Sequence, residues 1–297
     1  MATLYTQQGN NIWKTWLLMT VFLCVVIGLG WFFGFELRNP AILPIAVIIA
    51  LVMNISSYWF SDKLVLSMSG AVPADETTYR DLHNIVENLA ITAGLPKPKV
   101  FIVNDPAPNA FATGRNKKHA VVAVTSGLLS MLNKTELEGV IAHELSHVGN
   151  RDILLSTAVV VLVGFVTLLS DFFLRSQRFV GDDSDSKAGG IFMVVGIVLA
   201  LLSPIIATLM QLAISRKREF LADADGALLT RYPEGLASAL QKISSYGKPM
   251  RKANNATAHL FIENPFGKPE GKGFIANLFS THPRVEDRIK ALLGDKS

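Results

Sequence analysis

Four long apolar blocks constrain the fold of this chain more than any other feature of its sequence. They cover approximately residues 17–35, 41–60, 154–174 and 191–214. Each block is close to the roughly 20 residues that an α-helix needs to cross a bilayer. Half of all residues are hydrophobic and only 18 % are charged, which is too apolar for an ordinary soluble protein. The sequence therefore predicts a mainly α membrane protein with four transmembrane helices.

The first two blocks are predicted to form a hairpin, because the linker of residues 36–40 is too short for any other connection. Trp13, Trp16 and Trp31 lie near the ends of the first block, as expected for side chains at membrane interfaces. A cleaved signal peptide is disfavoured by the long apolar run and by the lack of a small-residue cleavage site. For the last two blocks, a buried or interfacial hairpin is the alternative to two full spans.

A His-Glu-x-x-His motif lies immediately before the third apolar block. On a helix, His143 and His147 project from one face and can give a zinc ion two nitrogen ligands. Glu144 is then placed to act as a general base on a water molecule. Two ordinary polar histidines on a half-apolar helix would give the same short pattern. The motif thus indicates a zinc hydrolase without establishing one.

The residues around the motif predict that it is helical. Thr135 and Glu138 have the spacing of a capping box, and Gly149 is a suitable stop. Apolar side chains recur at helical spacing between them, at Leu137, Val140, Ile141, Leu145 and Val148.

A third ligand is expected, because catalytic zinc usually has three protein ligands. Residues 216–230 predict a helix on which Glu219 and Asp223 share a face. Glu219 would be the ligand, and Asp223 could accept the N–H of a ligating histidine. Pairing of Glu219 with the neighbouring arginines fits the spacing equally well, and His282 is the rival ligand.

The soluble stretches predict an α+β arrangement with a small sheet. His83 is interpreted as a surface residue, His259 as an incidental residue and not a metal ligand, and residues 247–273 as a mobile loop. Strands are predicted at 99–103, 109–113 and 119–124, and helices at 75–93, 216–230, 233–246 and up to Gly294.

The motif, followed by Arg-Lys-Arg-Glu219-Phe-Leu-Ala-Asp223, resembles the HtpX-type membrane zinc endopeptidases. These are bacterial relatives of the Ste24 CAAX prenyl proteases and of the mitochondrial protease Oma1. Residues 109–114 and 281–288, and the order of apolar and soluble parts, are similar to that family as well. The resemblance implies a zincin-like (gluzincin) catalytic domain that holds one Zn²⁺ per chain through His143, His147 and Glu219.

The resemblance also implies roles for residues around the metal. Asp223 would accept a hydrogen bond from a ligating histidine, and Arg288 would stabilise the site. His282 would lie near the metal and bind substrate or stabilise the oxyanion. Arg284 departs from the family, which often has a second proline there. The substrate would lie along a strand edge formed by Asn109, Ala110, Phe111 and Ala112.

These observations divide the chain into four parts. Residues 1–60 form the N-terminal transmembrane hairpin, and residues 154–214 form the second one. Residues 61–153 carry the motif helix, and residues 215–297 complete the catalytic domain with the third ligand.

The predicted function is hydrolysis of peptide bonds in damaged or misfolded membrane proteins, as the resemblance implies. Its partners are polypeptides and the lipid bilayer, without nucleic acid; the sequence does not indicate an oligomeric state. A CAAX-type prenyl-peptide protease is the enzymatic alternative, although four spans are too few for the large chamber of the Ste24 relatives. A non-enzymatic membrane metal-binding protein would not explain Glu144.

Charge predicts the orientation. With four spans, both soluble parts and both termini lie on the same side of the membrane. That side has the larger number of basic residues near the spans, which favours the cytoplasmic face of the bacterial inner membrane. The basic residues on the side of the soluble parts are Lys14, Lys63, Arg151, Arg216, Lys217 and Arg218. Those on the opposite side are Arg38, Arg175, Arg178 and Lys187.

Overall fold

The computed structural model describes residues 4–36, 38–162, 216–254, 256–267 and 283–294. The helices among them are α1 (Leu4–Glu36), α2 (Ile42–Trp59), α3 (Ser61–Ser69), α4 (Arg80–Thr92), α5 (Ser126–Met131), α6 (Lys134–Gly149), α7 (Asp152–Leu162), α8 (Arg216–Thr230), α9 (Pro233–Tyr246) and α10 (Val285–Leu293). The strands are β1 (Ala71–Pro73), β2 (Lys99–Val103), β3 (Ala110–Gly114) and β4 (Ala120–Thr125).

Helices α1 and α2 pack against each other as the predicted hairpin. Within them, Asn11–Phe32 and Ile42–Trp59 are long and apolar enough to cross a membrane. Their outer faces expose large apolar side chains such as Trp31, at 61 %, and Ile48, at 60 %. The prediction of four spans is not confirmed, because the third block is described only to Leu162 and the fourth lies outside the described residues.

The sheet has the strand order β1-β2-β4-β3. Strands β2 and β4 are parallel, whereas β1 with β2 and β3 with β4 are antiparallel. The predicted strands are therefore confirmed, and β1 and α3 are additions that the sequence did not indicate. Strand β3, which carries three of the four proposed substrate-binding residues and directly follows Asn109, is at the edge of the sheet.

The two faces of the sheet pack against different helices. Alternating residues such as Val122 point towards α4, α6 and α9, where they join the larger apolar core. Their neighbours, such as Phe111 and Val121, point to the opposite side and contact Leu155 of α7. Leu18 of α1 belongs to this second core as well, so α1 contributes to the packing on this side of the sheet.

The capping box of α6 differs from the predicted one. Asn133 and Glu136 form it, since the Asn133 side chain accepts from the Glu136 N–H and the Glu136 carboxylate accepts from the Asn133 N–H. Thr135 lies inside the first turn and donates to the Asn133 side chain instead. The prediction from Thr135 and Glu138 was wrong because two capping patterns overlap here. Lys242 of α9 also binds Glu136, and this contact favours the earlier start.

Helix α4 also begins later than predicted. The Asp75 carboxylate accepts hydrogen bonds from the N–H and hydroxyl groups of Thr77 and Thr78, which stabilises a turn before the helix. His83 is buried, and its Nε2 is 3.1 Å from the carbonyl oxygen of Ala74. The interpretation of His83 as a surface residue was therefore wrong.

Candidate active site

Helix α6 places His143 and Glu144 in the interior of the protein and leaves His147 partly buried. His143 is 1 % exposed and Glu144 is 2 % exposed. The rings of His143 and His147 are perpendicular, with centroids 4.8 Å apart, and their Nε2 atoms approach to 3.2 Å. Both imidazoles therefore direct a ring nitrogen to the same point.

Helix α8 adds Glu219 at that point. Its Oε1 is 3.5 Å from Nε2 of His147, and its Oε2 is 3.9 Å from Nε2 of His143. A glycine permits this close approach: a Cβ atom on Gly226 would lie 3.0 Å from the backbone nitrogen of His143. Glu219 and Gly226 are two helical turns apart on one face, so the contact at Gly226 helps to set the position of Glu219.

The convergence of these three side chains fits a tetrahedral metal ion. One ligand atom from each of His143, His147 and Glu219 can be chosen so that all lie within 4.8 Å of one another. Ligands at about 2.0–2.1 Å from a tetrahedral zinc are separated by roughly 3.3 Å, close to the distances found here. Two histidines and a glutamate are also a known ligand set of catalytic zinc.

Asp223 and Arg288 lie behind His143. Oδ1 of Asp223 is 2.9 Å from Nδ1 of His143, so the carboxylate can hold the Nδ1 proton and leave Nε2 as the ligand atom. Arg288 donates to both Asp223 oxygens, at 2.8 and 2.7 Å. Burial favours the neutral acid, but the hydrogen bonds from Arg288 and His143 hold the pKa of Asp223 at about 2. Burial lowers the pKa of His143, which keeps its imidazole neutral.

Asp152 has the corresponding position behind His147, and the sequence analysis missed it. Its Oδ2 is 3.0 Å from Nδ1 of His147. Burial opposes the charged imidazole, but the hydrogen bond to Asp152 and the carboxylates of Glu219 and Glu144 raise the pKa of His147 to about 9. The only signal in the sequence was a carboxylate shortly after the second histidine, at the start of an apolar block.

The segment of residues 259–262 lines one side of the cleft that holds these ligands. His259 is buried, lines the cleft, and has Nε2 3.1 Å from the carbonyl oxygen of Ser156. The described cluster that could hold a metal ion does not include His259, so the structure gives it a place in the cleft wall, which the sequence did not indicate, and not the role of a ligand. Both backbone polar groups of Ile262 are hydrogen-bonded: its N–H donates to the Ala110 carbonyl, and its carbonyl accepts from Arg288.

Strand β3 contributes its edge to the same cleft. The Asn109 carbonyl accepts from the Thr125 N–H, so the backbone groups of Asn109 and Phe111 are directed to β4. The backbone groups of Ala110 and Ala112 are consequently directed outwards. Ile262 already binds the Ala110 carbonyl, whereas Ala112 lines the cleft beside His143 and Glu144.

The structure thus brings together most of the residues singled out in the sequence. His143, Glu144, His147 and Glu219 line one cleft, and Asp223 and Arg288 adjoin it. His282 lies outside the described residues.

Comparisons with known proteins agree with this geometry. Residues 76–296 match the model of peptidase family M48. A protein named Protease HtpX homolog from Caldanaerobacter subterraneus subsp. tengcongensis is 49 % identical over 297 residues, which cover 98 % of this chain and 97 % of the relative. Another of the same name, from Pyrococcus furiosus, is 49 % identical over 289 residues and 96 % of both chains.

A solved structure, the crystal structure of S. mikatae Ste24p, shares the fold. Its TM-score with this chain is 0.51 at 18 % sequence identity. The similarity covers 94 % of this chain and 66 % of the Ste24p chain, so this chain spans just under two thirds of that protein.

The family match also decides between an enzyme and a protein that only binds a metal, because the matched family is a family of peptidases. With a cluster that can hold a metal ion and two helices that can cross a membrane, the chain is a membrane metalloprotease. It belongs to peptidase family M48.

Proposed function

We propose that the chain is a zinc-dependent endopeptidase that hydrolyses peptide bonds of damaged or misfolded membrane proteins. The observation that carries this proposal is the convergence of His143, His147 and Glu219 beside Glu144. When bound, zinc would polarise the scissile carbonyl and make an attacking water acidic.

The protein's own residues would supply the proton transfers. Glu144 is adjacent in the chain to His143 and lines the same cleft, so it can take a proton from the attacking water. It can then deliver that proton to the leaving nitrogen. Asp223 and Asp152 hold the Nδ1 protons of the two histidines, which keeps both Nε2 atoms available as ligands. His282 is proposed, from the family resemblance, to bind the substrate carbonyl.

The substrate backbone would pair with the outward edge of β3 at Ala112. Ile262 binds this edge at Ala110, and the Thr157 hydroxyl accepts from the Gly114 N–H at 3.5 Å. Ala112 lies between these two contacts and beside the ligands, so one peptide unit fits there without displacing either. Such backbone pairing gives affinity with little dependence on the substrate's side chains.

Membrane proteins are the proposed substrate class because the cleft lies next to a membrane helix. Asn11, the first residue of the first candidate span, hydrogen-bonds Asp152 beside His147. A chain that leaves the bilayer next to α1 would therefore reach the metal within a few residues.

We further propose that the protein crosses the plasma membrane four times, with the catalytic domain and both termini in the cytoplasm. The excess of basic residues on that side supports this orientation. Cysteine labelling tests it in a Cys24→Ser background. A probe that cannot cross the membrane should miss a cysteine at Lys117 and reach one at Ser184. Labelling of the cysteine at position 117 from outside the cell would show that the catalytic domain is not in the cytoplasm.

Proteolysis by the purified protein tests the enzymatic proposal. The protein should cleave an unfolded membrane protein in detergent, lose this activity when a chelator removes the metal, and regain it when zinc is added. A folded soluble protein serves as the control and should be cleaved far more slowly. Cleavage that persists after complete removal of zinc would contradict the proposal.

A further inference from the structure

His147 is oriented by a carboxylate that does not belong to the motif helix. Asp152, the first residue of α7, lies just beyond the end of α6 and is 4 % exposed. Its Oδ2 is 3.0 Å from Nδ1 of His147. The orientation of Asp152 therefore determines how the Nε2 of His147 is presented to a metal.

The first membrane helix holds the other oxygen of this carboxylate. The Nδ2 group of Asn11 donates to Oδ1 of Asp152 at 2.7 Å and to the Asn150 carbonyl at 3.1 Å. Asn11 is 4 % exposed and Asn150 is 3 % exposed, so water does not compete for these bonds. Nη1 of Arg218 is 3.6 Å from the same Oδ1.

These contacts leave Asp152 little freedom to rotate. Each of its two oxygens has its own partner, one on α1 and one on α6. Asp223 is also held at both oxygens on the other side of the metal site, since Arg288 donates to both of them and His143 contacts one. A carboxylate that is fixed at both oxygens keeps the attached imidazole in one tautomer and one orientation.

We propose that Asn11 is a positioning residue of the metal site. It acts through Asp152 on His147, so the site reaches full metal affinity only when α1 is docked on the catalytic domain. The proposal rests on the metal site of the proposed function. It adds that a residue of the first membrane helix, distant from the motif in sequence, contributes to metal binding.

A double-mutant cycle on the full-length protein in detergent tests this proposal, with zinc affinity as the readout. Asp152→Ala should weaken zinc binding by about 10–100-fold, as losses of such supporting partners do. Asn11→Leu should weaken it by about fivefold to tenfold in the wild-type background, because Oδ1 of Asp152 then loses its hydrogen bond to α1 and keeps only the longer contact with Arg218. In the Asp152→Ala background, Asn11→Leu should change the affinity by less than about twofold.

Thr15→Val is the matched control. Thr15 is buried one turn further along the same face of α1, and its hydroxyl donates to the Asn11 carbonyl without contacting Asp152. Its replacement should leave zinc affinity unchanged. A second readout is the absorption spectrum of the cobalt-substituted protein, which should change with Asn11→Leu but not with Thr15→Val. If Asn11→Leu does not fold, the smaller variant Asn11→Ser replaces it in the same cycle.

The outcomes separate the two proposals. Wild-type protein that binds no zinc would overturn the metal site and this inference with it. Normal wild-type binding with equal losses for Asn11→Leu in both backgrounds would overturn the inference alone, since Asn11 would then only anchor α1. An unchanged zinc affinity of Asn11→Leu would overturn it as well.

Discussion

Arg288 donates two hydrogen bonds to the carboxylate of Asp223, and both side chains are almost completely buried. The pair joins the C-terminal helix α10 to helix α8, behind the ligand His143. The ion pair also keeps Asp223 charged, which lets it accept the Nδ1 proton of His143.

Removal of Arg288 should destabilise the protein strongly. Arg288→Ala leaves the Asp223 charge buried without its partner, and we expect a loss of about 3–5 kcal/mol in the free energy of unfolding. Chemical unfolding in detergent measures this loss. Arg284→Ala is the control, since Arg284 is exposed one turn earlier and its replacement should cost less than about 0.5 kcal/mol. Equal stability of the two variants would contradict the assignment.

Glu219 should be indispensable for metal binding. Glu219→Ala removes one of three ligands, and we expect a loss of zinc affinity of more than about 100-fold. His282→Ala should retain zinc and lose activity, because His282 is proposed to bind substrate. Metal analysis after dialysis against a weak chelator distinguishes the two variants. Normal zinc content of Glu219→Ala, together with metal loss from His282→Ala, would show that His282 and not Glu219 is the third zinc ligand.

The close contact at Gly226 should control the position of Glu219. Gly226→Ala places a Cβ atom 3.0 Å from the His143 backbone nitrogen, so α8 must shift away from α6 by a few tenths of an ångström. We expect roughly tenfold weaker zinc binding, the lower end of the loss seen when a metal's supporting residues are removed. Gly149→Ala is the control, because a Cβ there meets no atom within 4 Å. Identical zinc affinities of the two variants would show that α8 does not depend on this contact.

Zinc binding should strengthen as the pH rises. The pKa of His147 in the metal-free protein is raised to about 9, so its imidazole carries a proton at neutral pH. Zinc requires the neutral imidazole and must displace this proton. Between about pH 7 and 9 the apparent affinity should therefore increase roughly tenfold per pH unit. Competition titrations with a chelator of known affinity measure this slope, and an affinity independent of pH would show that His147 is neutral before zinc binds.

Local sequence patterns were sufficient to predict the elements that carry the ligands. The periodicity around His143 predicts α6, and the stretch from Arg216 to Thr230 coincides with α8. The hairpin of β3 and β4 also follows from two apolar runs around a turn. In each case the signal lies within a short window of sequence, and tertiary packing did not override it.

Residues that act through distant contacts could not be predicted in this way. Asn11 reaches Asp152 across 141 positions of sequence, and His259 reaches Ser156 across 103. Nothing local distinguishes these side chains from ordinary polar residues, since only the packing of α1 brings Asn11 to Asp152 and only the packing of residues 259–262 brings His259 to the cleft. The capping box of α6 was misplaced for a similar reason, because the contact of Glu136 with Lys242 selects one of two overlapping patterns.

The central claim, that Glu144 acts as the base of a zinc-dependent peptidase, is tested most directly by measuring zinc content and peptide cleavage together on Glu144→Gln. Glutamine has nearly the same shape as glutamate and leaves all three ligands in place, but it cannot accept the proton of the attacking water. We predict a wild-type zinc content and a cleavage rate reduced by at least about 100-fold. Cleavage at the wild-type rate by zinc-loaded Glu144→Gln would contradict the proposed mechanism.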